Sequence, residues 1–354
     1  MKTRFLDVRN CHALLPSGHG LSLTQRLEEC LQGINDQDGP LHGAVDALVR
    51  HNEKTRSLSP GSRRFLGSPV EIAQVGVISE RMINTRAIER GGQGPAKLHT
   101  SLVYEDGTTW KTIVPLQFLL KSWGDANGGH QCYVHTISRN LDQMRSIQDW
   151  QARAQSDSDD YYYVGITGRN WLARFSEHIG EMRRGSRKRF HEAWRESLGM
   201  RDGQYVSALM DINLSYEQAM DLEEAQVDRV AFGPNGLNMI PGGFKGLKHL
   251  HEYGVIARQN VTLEERDRAV EEYLRQNPRK GIPNPFMSEL WKDDDYYQRV
   301  IDARPKTLSA DQVRQIRRMA AEGASIETIA DEVGALNETQ VKNVIAGRTY
   351  SRVQ

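Results

Sequence analysis

The 354-residue sequence contains only three cysteines, carries no net charge and has no long apolar run. Cys11, Cys30 and Cys132 stand far apart, so they form neither a disulfide framework nor a Cys-x-x-Cys zinc motif. A membrane span needs about 18 consecutive apolar residues, and a signal peptide needs an apolar stretch that the first residues do not contain. We therefore expect a cytoplasmic protein that does not enter the membrane.

The 46 basic residues balance 46 acidic ones, so any binding of nucleic acid must rely on local charge. The length exceeds one average core and predicts about two to four domains. We expect an α+β fold, with an N-terminal α+β domain over 1–125 and a small central sheet flanked by helices over 126–245. A helical linker over 246–306 and a three-helix C-terminal domain over 307–354 complete the prediction.

Residues 1–125 give one clear local signal. Leu98–Tyr104 and Thr109–Val114 flank Asp106-Gly107, which predicts a β-hairpin. Two interpretations of this region stay open: a module that recognises the DNA sequence or positions the substrate, and a small α+β domain that only packs on its neighbour.

The central segment contains a strand followed by a helix. Tyr161–Ile166 is rich in aromatic and β-branched residues and predicts a strand, in which Gly165 indicates a bulge or a close approach by another backbone. Asn170 is a typical N-cap, and on the helix that follows it Arg174 and His178 lie on one face. A tyrosine-bearing strand beside a guanidinium and an imidazole suits the binding and cleavage of a phosphodiester.

A second strand is predicted over Gln131–Ile137 and carries Tyr133. A helical pattern over residues 140–159 separates it from Tyr163. A helix inserted into a hairpin would keep Tyr133 and Tyr163 adjacent.

Over about a third of the chain, from Gln131 to Gly243, these residues resemble the GIY-YIG nucleases. Tyr163-Val164-Gly165 corresponds to the family's Tyr-Ile-Gly half-motif, and Gln131-Cys132-Tyr133 stands in place of Gly-Ile-Tyr. Arg174 corresponds to the family's arginine, and His178 to the histidine that many members have. Glu223, which precedes Val227, corresponds to the family's metal-binding glutamate. Asn238, which precedes Gly242-Gly243, corresponds to its closing asparagine and glycine-rich turn.

The resemblance implies hydrolysis of double-stranded DNA with Mg²⁺ or Mn²⁺ held by Glu223, which shares the apolar face of its helix whereas Glu224 points away. The metal would stabilise the leaving oxygen, and Arg174 would bind the scissile phosphate. A tyrosine titrates near 10 and a histidine nearer neutrality, so Tyr163, Tyr133 and His178 all remain candidates for the general base.

A local excess of positive charge follows the motif. Nine basic residues face four glutamates between positions 169 and 201. We interpret Arg169, Arg183, Arg187 and Lys188 as a surface that binds backbone phosphates, together with Asn238 in the glycine-rich turn. The alternative is a solvated helical face with internal ion pairs.

The C-terminal segment predicts three helices, with Ser309, Ser325 and Asn337 as N-caps. The spacing resembles the helix-turn-helix domains that accompany phage and homing-type nucleases. In that interpretation the third helix exposes residues to DNA, namely Asn337, Gln340 and Lys342, with Arg348 near a phosphate. A helical packing module is the alternative.

Two functions follow from these patterns. The first is a metal-dependent DNA endonuclease targeted by the helix-turn-helix. The second is a DNA-binding regulator that keeps a nuclease-like fold without activity, suggested by the Gln-Cys-Tyr half-motif.

Overall fold

The computed structural model describes residues 2–16, 22–58, 62–89, 94–105, 109–138, 160–198, 204–232, 235–277, 282, 292–303 and 307–353. It forms two compact units, Met1–Ile282 and Pro283–Gln354. The predicted α+β class is confirmed. The predicted helix within 140–159 lies outside the described residues.

One seven-stranded mixed sheet organises the first unit, in the order β2-β1-β3-β4-β7-β5-β6. The strands are β1 (Val70–Val77), β2 (Met82–Glu89), β3 (Lys97–Val103), β4 (Thr109–Pro115), β5 (His130–Ser138), β6 (Tyr161–Thr167) and β7 (Gln204–Leu214). β3 and β4 pair antiparallel, which confirms the predicted hairpin strands. β5 and β6 are the two predicted motif strands, and they also pair antiparallel.

The sheet runs across residue 125, where the sequence analysis placed a domain boundary, because β4 pairs in parallel with β7. The expected small central sheet is therefore one end of a larger one. The core crosses the same boundary, since Leu14 and Phe118 belong to the same apolar cluster as Tyr133 and Trp171. This continuity fixes the motif strands to the N-terminal half.

Helices cover the sheet. Those before β5 are α1 (Val8–Leu14), α2 (Leu23–Asp36), α3 (Ala44–Thr55) and α4 (Leu116–Leu119). Those after β6 are α5 (Trp171–Arg183), α6 (Arg189–Leu198), α7 (Tyr216–Gln226, continued by a π-helical turn over Val227–Ala231), α8 (Gly243–Glu252) and α9 (Leu263–Gln276). Asn170 caps α5 as predicted, because its side chain accepts hydrogen bonds from the backbone N–H groups of Leu172 and Ala173.

Helix α9 lies within the predicted linker, yet it belongs to the first unit. Its N-terminus has a capping box in which Thr262 and Glu265 bond each other's backbone N–H. Leu263, Val270 and Leu274 are buried in the cluster that α7 and α8 form against β5 and β6. Apolar burial of this kind fixes a helix to its neighbours, so α9 is a packed element rather than a spacer.

The second unit contains α10 (Asp294–Ala303), α11 (Ala310–Ala321), α12 (Ile326–Val333) and α13 (Glu338–Ile345). Val313, Ile316, Ile329, Val341 and Val344 form its buried centre. Gly334 ends α12 in the left-handed conformation, and Asn337 caps α13. The three predicted C-terminal helices are thus present and share one core. Among the described helices, none is long and apolar enough to cross a bilayer.

Candidate functional site

Strands β5 and β6 carry the two motif tyrosines on one face of the sheet. Tyr133 pairs with Gly165, and Tyr163 pairs with His135 two residues further along. Residues two apart on a strand, and residues directly opposite on its neighbour, share a face. A Cβ added at Gly165 would lie 2.7 Å from the Tyr133 hydroxyl. The close approach predicted at Gly165 therefore comes from a side chain and not from another backbone.

A chain of hydrogen bonds links Tyr133 to two histidines. The Tyr133 hydroxyl lies 3.2 Å from His178 Nε2, and His178 Nδ1 lies 2.9 Å from His191 Nε2. Burial, followed by the charge of Arg174, lowers the pKa of His178, and burial lowers the pKa of His191 to about 3. Both rings are therefore neutral near neutral pH, so each carries a single N–H.

Burial also raises the pKa of Tyr133 and of Tyr163, so neither phenol ionises readily. Of the two motif tyrosines, Tyr133 is the one hydrogen-bonded to His178. Tyr163 stacks on Phe190 with ring centroids 4.5 Å apart.

Arg174 projects from α5 into a cluster of carboxylates. Its Nη1 atom donates to Glu177 and Glu181, both at 2.9 Å, and its Nη2 atom donates to Asp267 of α9 at 2.8 Å. The side chain is only 5 % exposed. Burial opposes the charge of Arg174, but the surrounding carboxylates and tyrosines outweigh it and raise the pKa of the guanidinium. Arg174 is thus a permanently charged anion-binding group whose donors are occupied by acids of the same chain.

Glu223 is buried on α7, as its position on the apolar face predicted, and it has a partner. Arg266 of α9 donates to both of its oxygens, at 2.8 and 3.1 Å. The backbone N–H of Gly243, at the start of α8, donates to Oε2 at 3.0 Å. A Cβ at Gly243 would lie 2.1 Å from the Met220 carbonyl oxygen, so only glycine allows this approach.

Tyr163, Arg174 and Glu223 meet around the same part of α9. A cavity of about 70 Å³ at the β6 edge is lined by Tyr163 and Glu223, and a second cavity of about 500 Å³ is lined by Arg174. Lys188 and Asp267 line both cavities. The three side chains on which the sequence interpretation depends are therefore grouped around Asp267 of α9, with Arg174 in one cavity and Tyr163 and Glu223 in the other.

The residues predicted to bind phosphate differ in their surroundings. Arg183 and Arg187 are exposed on the surface. Arg169 donates to Glu177 at 2.6 Å and lies 3.5 Å from Glu264 of α9, while Lys188 donates to Glu181 at 2.9 Å. Asn238 is buried, and its amide bonds both the N–H and the C=O of Val164. Its structural role is to close the β6 edge.

In the C-terminal unit, two of the predicted base-reading side chains serve the helix itself. Asn337 accepts a hydrogen bond from the backbone N–H of Gln340, and Gln340 accepts one from the N–H of Leu336, so the pair caps α13. Lys342 pairs with Glu338 at 2.9 Å. Arg348 is exposed beyond the end of α13.

Within the part of the chain that the structure describes, two places are candidates for a metal ion. Glu223 does not accept one in this conformation, because Arg266 bonds both oxygens of its carboxylate. His178, Glu181 and His191 bring three ligand atoms within 4.8 Å of one another. In that trio the two histidines are hydrogen-bonded to each other, and Lys188 donates a hydrogen bond to the Glu181 carboxylate. These hydrogen bonds already occupy the atoms that would bind a metal ion. Neither place fits a cation as it stands.

The sequence analysis missed four residues that define the site, Glu181, His191, Arg266 and Asp267. Glu181 has a local signal, since it lies seven residues after Arg174 on the same helix. His191 lies 13 residues after His178 on another helix and has no such signal. Arg266 and Asp267 contact residues 43 and 93 positions away, so no local pattern marks them.

Comparison of the chain with protein-family models, with curated proteins and with solved structures finds no match. The resemblance to the GIY-YIG nucleases therefore stays a prediction from the motif residues.

Proposed function

We propose that the protein is a divalent-metal-dependent endonuclease that hydrolyses double-stranded DNA and belongs to the GIY-YIG type. The observation that carries the proposal is the grouping of Tyr163, Arg174 and Glu223 around one segment of α9, with Tyr133 and His178 beside them. These residues are up to 90 positions apart in the sequence (223 minus 133). Ordinary core packing does not require a permanent cation, a phenol–imidazole chain and a buried carboxylate in one place.

The proposed roles follow from the contacts. Arg174 now donates one hydrogen bond to the Asp267 carboxylate. Its planar fork of donors would bind phosphate oxygens in place of that carboxylate. His178, neutral and bonded to Tyr133, can accept a proton through Nε2 and pass one towards His191 through Nδ1. Tyr163 and Tyr133 supply hydroxyls beside the attacking water. The assignment of the general base among Tyr163, Tyr133 and His178 stays open.

The proposed Mg²⁺ or Mn²⁺ at Glu223 is the one part that this conformation does not fit, because Arg266 occupies the carboxylate. We therefore assign no reaction step to the ion here. The C-terminal unit, in which α11, α12 and α13 share one core in a helix-turn-helix arrangement, is proposed to select the DNA site.

Incubation with supercoiled plasmid tests the proposal. Wild-type protein should nick or linearise the plasmid with Mg²⁺ or Mn²⁺ and fail to do so with EDTA. Arg174→Ala should slow the reaction by about 100-fold or more, because it removes charge stabilisation of the phosphate. Arg50→Ala, an exposed arginine on α3, is the matched control and should behave as wild type. Equal rates for Arg174→Ala and Arg50→Ala would refute the assigned role, and cleavage in EDTA would refute the metal requirement.

The second candidate function is a DNA-binding regulator without catalysis. The bonding of Glu223 to Arg266, where the family resemblance expects a metal, favours it. Retardation of duplex DNA in gels, with no cleavage by the wild type or by any variant below, would select this alternative.

A further inference from the structure

Helix α9 contacts the proposed site through two kinds of charge. Its acidic residues Glu264, Asp267 and Glu271 are three and four positions apart, so they share one face over about 10 Å of helix. Arg266 points instead to Glu223. One short element therefore offers carboxylates to one part of the site and a guanidinium to another.

The acidic face of α9 meets the cations proposed to bind phosphate. Asp267 accepts from Arg174 at 2.8 Å, Glu264 lies 3.5 Å from Arg169, and Glu271 lies 3.6 Å from Lys188. Glu271 also accepts a hydrogen bond from the Ser186 hydroxyl at 2.9 Å. The row of carboxylates that contacts these three cations resembles a nucleic-acid backbone in its charge pattern. Carboxylates and backbone phosphates are both spaced anions that accept hydrogen bonds.

Arg266 takes the place that a metal ion would have beside Glu223. Its guanidinium bonds both oxygens of the Glu223 carboxylate, so it supplies there the positive charge that a divalent cation would supply. The pair is buried, with the Arg266 side chain 10 % exposed and the Glu223 side chain 4 % exposed. No ion can bind this carboxylate until Arg266 leaves it.

We infer that α9 is an autoinhibitory helix, whose carboxylates occupy the phosphate positions and whose Arg266 occupies the cation position of the nuclease site. This inference rests on the proposed function, because it assigns α9 to the same residues. Duplex DNA is the ligand that releases the helix. Its phosphates compete with Glu264, Asp267 and Glu271 for the same cations, and release of α9 removes Arg266 from Glu223.

The test uses the full chain and the variant Asp267→Asn with Glu271→Gln, which weakens the acidic face and leaves Arg266 in place. Both side chains are partly exposed, at 31 % and 40 %, and Arg174 keeps Glu177 and Glu181, so the variant should fold. The control is Glu252→Gln with Glu272→Gln, two exposed carboxylates on α8 and α9. In the wild type they pair with Lys248 and Arg275, and the control changes the net charge equally.

Affinity for a duplex in EDTA is the first measurement, because it needs no catalysis. The Asp267→Asn, Glu271→Gln variant should bind at least about tenfold more tightly than the control, since two competing anions are gone. Hydrogen exchange of the α9 amides is the second measurement, and saturating duplex should accelerate it at least about tenfold in the wild type. Equal affinity of variant and control, or α9 amides that stay protected under saturating duplex, would overturn the inference.

Cleavage separates this inference from the proposed function. If the variant binds more tightly and α9 opens, but no protein cuts DNA with Mg²⁺ or Mn²⁺, α9 covers a DNA-binding cleft and the nuclease proposal fails. If the wild type cuts as fast as the variant while α9 stays protected, the nuclease proposal stands and the autoinhibitory role of α9 is refuted.

Discussion

The ion pairs between α9 and the candidate site and those on the surface of the C-terminal unit both join a basic side chain to a carboxylate, but their surroundings differ. Arg266 and Glu223 are 10 % and 4 % exposed, whereas Lys342 and Glu338 on α13 are 53 % and 52 % exposed. Water screens the second pair and leaves it nearly without net effect on stability. The buried pair has lost its hydration, so each member depends on the other. The buried charges therefore hold α9 against the site, whereas the exposed pair on α13 contributes little to the stability of its helix.

Removal of one member of the buried pair should have the largest effect on stability. Arg266→Ala leaves the Glu223 carboxylate buried with the Gly243 N–H as its remaining partner among the described contacts. We expect a loss of about 3–5 kcal/mol in the free energy of unfolding of the first unit. Hydrogen exchange of the slowest amides in each unit measures this quantity separately for the two units.

Lys342→Ala is the matched control and should cost no more than about 0.5 kcal/mol in the second unit. Replacement of both buried partners, Arg266→Met with Glu223→Leu, should recover most of the loss, because no unpaired charge remains. A loss in the free energy of unfolding that is no larger for Arg266→Ala than for Lys342→Ala would contradict this difference between the buried and the exposed pair.

Low pH should lower the free energy of unfolding of the first unit by a smaller amount than Arg266→Ala does. The pKa of His191 is about 3 in the fold, because burial disfavours its charged form, and about 6.5 when the chain is unfolded. Below pH 6.5 the unfolded chain therefore binds more protons than the folded one, and stability falls until the pH reaches about 3. The contribution of His191 is about 2–4 kcal/mol over this range. Urea unfolding of the first unit at a series of pH values measures the slope.

His191→Gln should flatten this acid dependence, since the amide does not titrate there. His42→Gln, an exposed histidine near the start of α3, should leave the slope as in the wild type. The same steep slope in both variants would show that His191 is not the source of acid sensitivity.

Elements marked by local patterns were predictable from the sequence. The hairpin strands around residues 106–108, the N-cap at Asn170 and the capping box at Thr262 each depend on residues within a few positions of one another. The three C-terminal helices were predicted for the same reason. The position of Glu223 on a buried helix face also followed from periodicity.

Contacts between distant segments were not predictable. The parallel pairings β1–β3 and β4–β7 merge the N-terminal and central regions into one sheet, and neither has a local signature. For the same reason α9 was taken for a linker. Its capping box and charge pattern fit any exposed helix, and its role depends on Arg266 and Asp267 finding partners far away in the chain. The resemblance implies a divalent cation at the buried Glu223 carboxylate, whereas in the structure Arg266 bonds both of its oxygens.

If Arg174 binds a phosphate in the position that Asp267 now fills, substitutions of the two residues must be coupled, and a double-mutant cycle measures that coupling. Single-turnover cleavage of a duplex with Mg²⁺ would be measured for the wild type, Asp267→Asn, Arg174→Lys and the double variant. We expect Asp267→Asn to accelerate cleavage in the wild-type background and to give no gain beside Arg174→Lys, because the lysine lacks the planar pair of donors. The same acceleration by Asp267→Asn in both backgrounds would contradict this coupling.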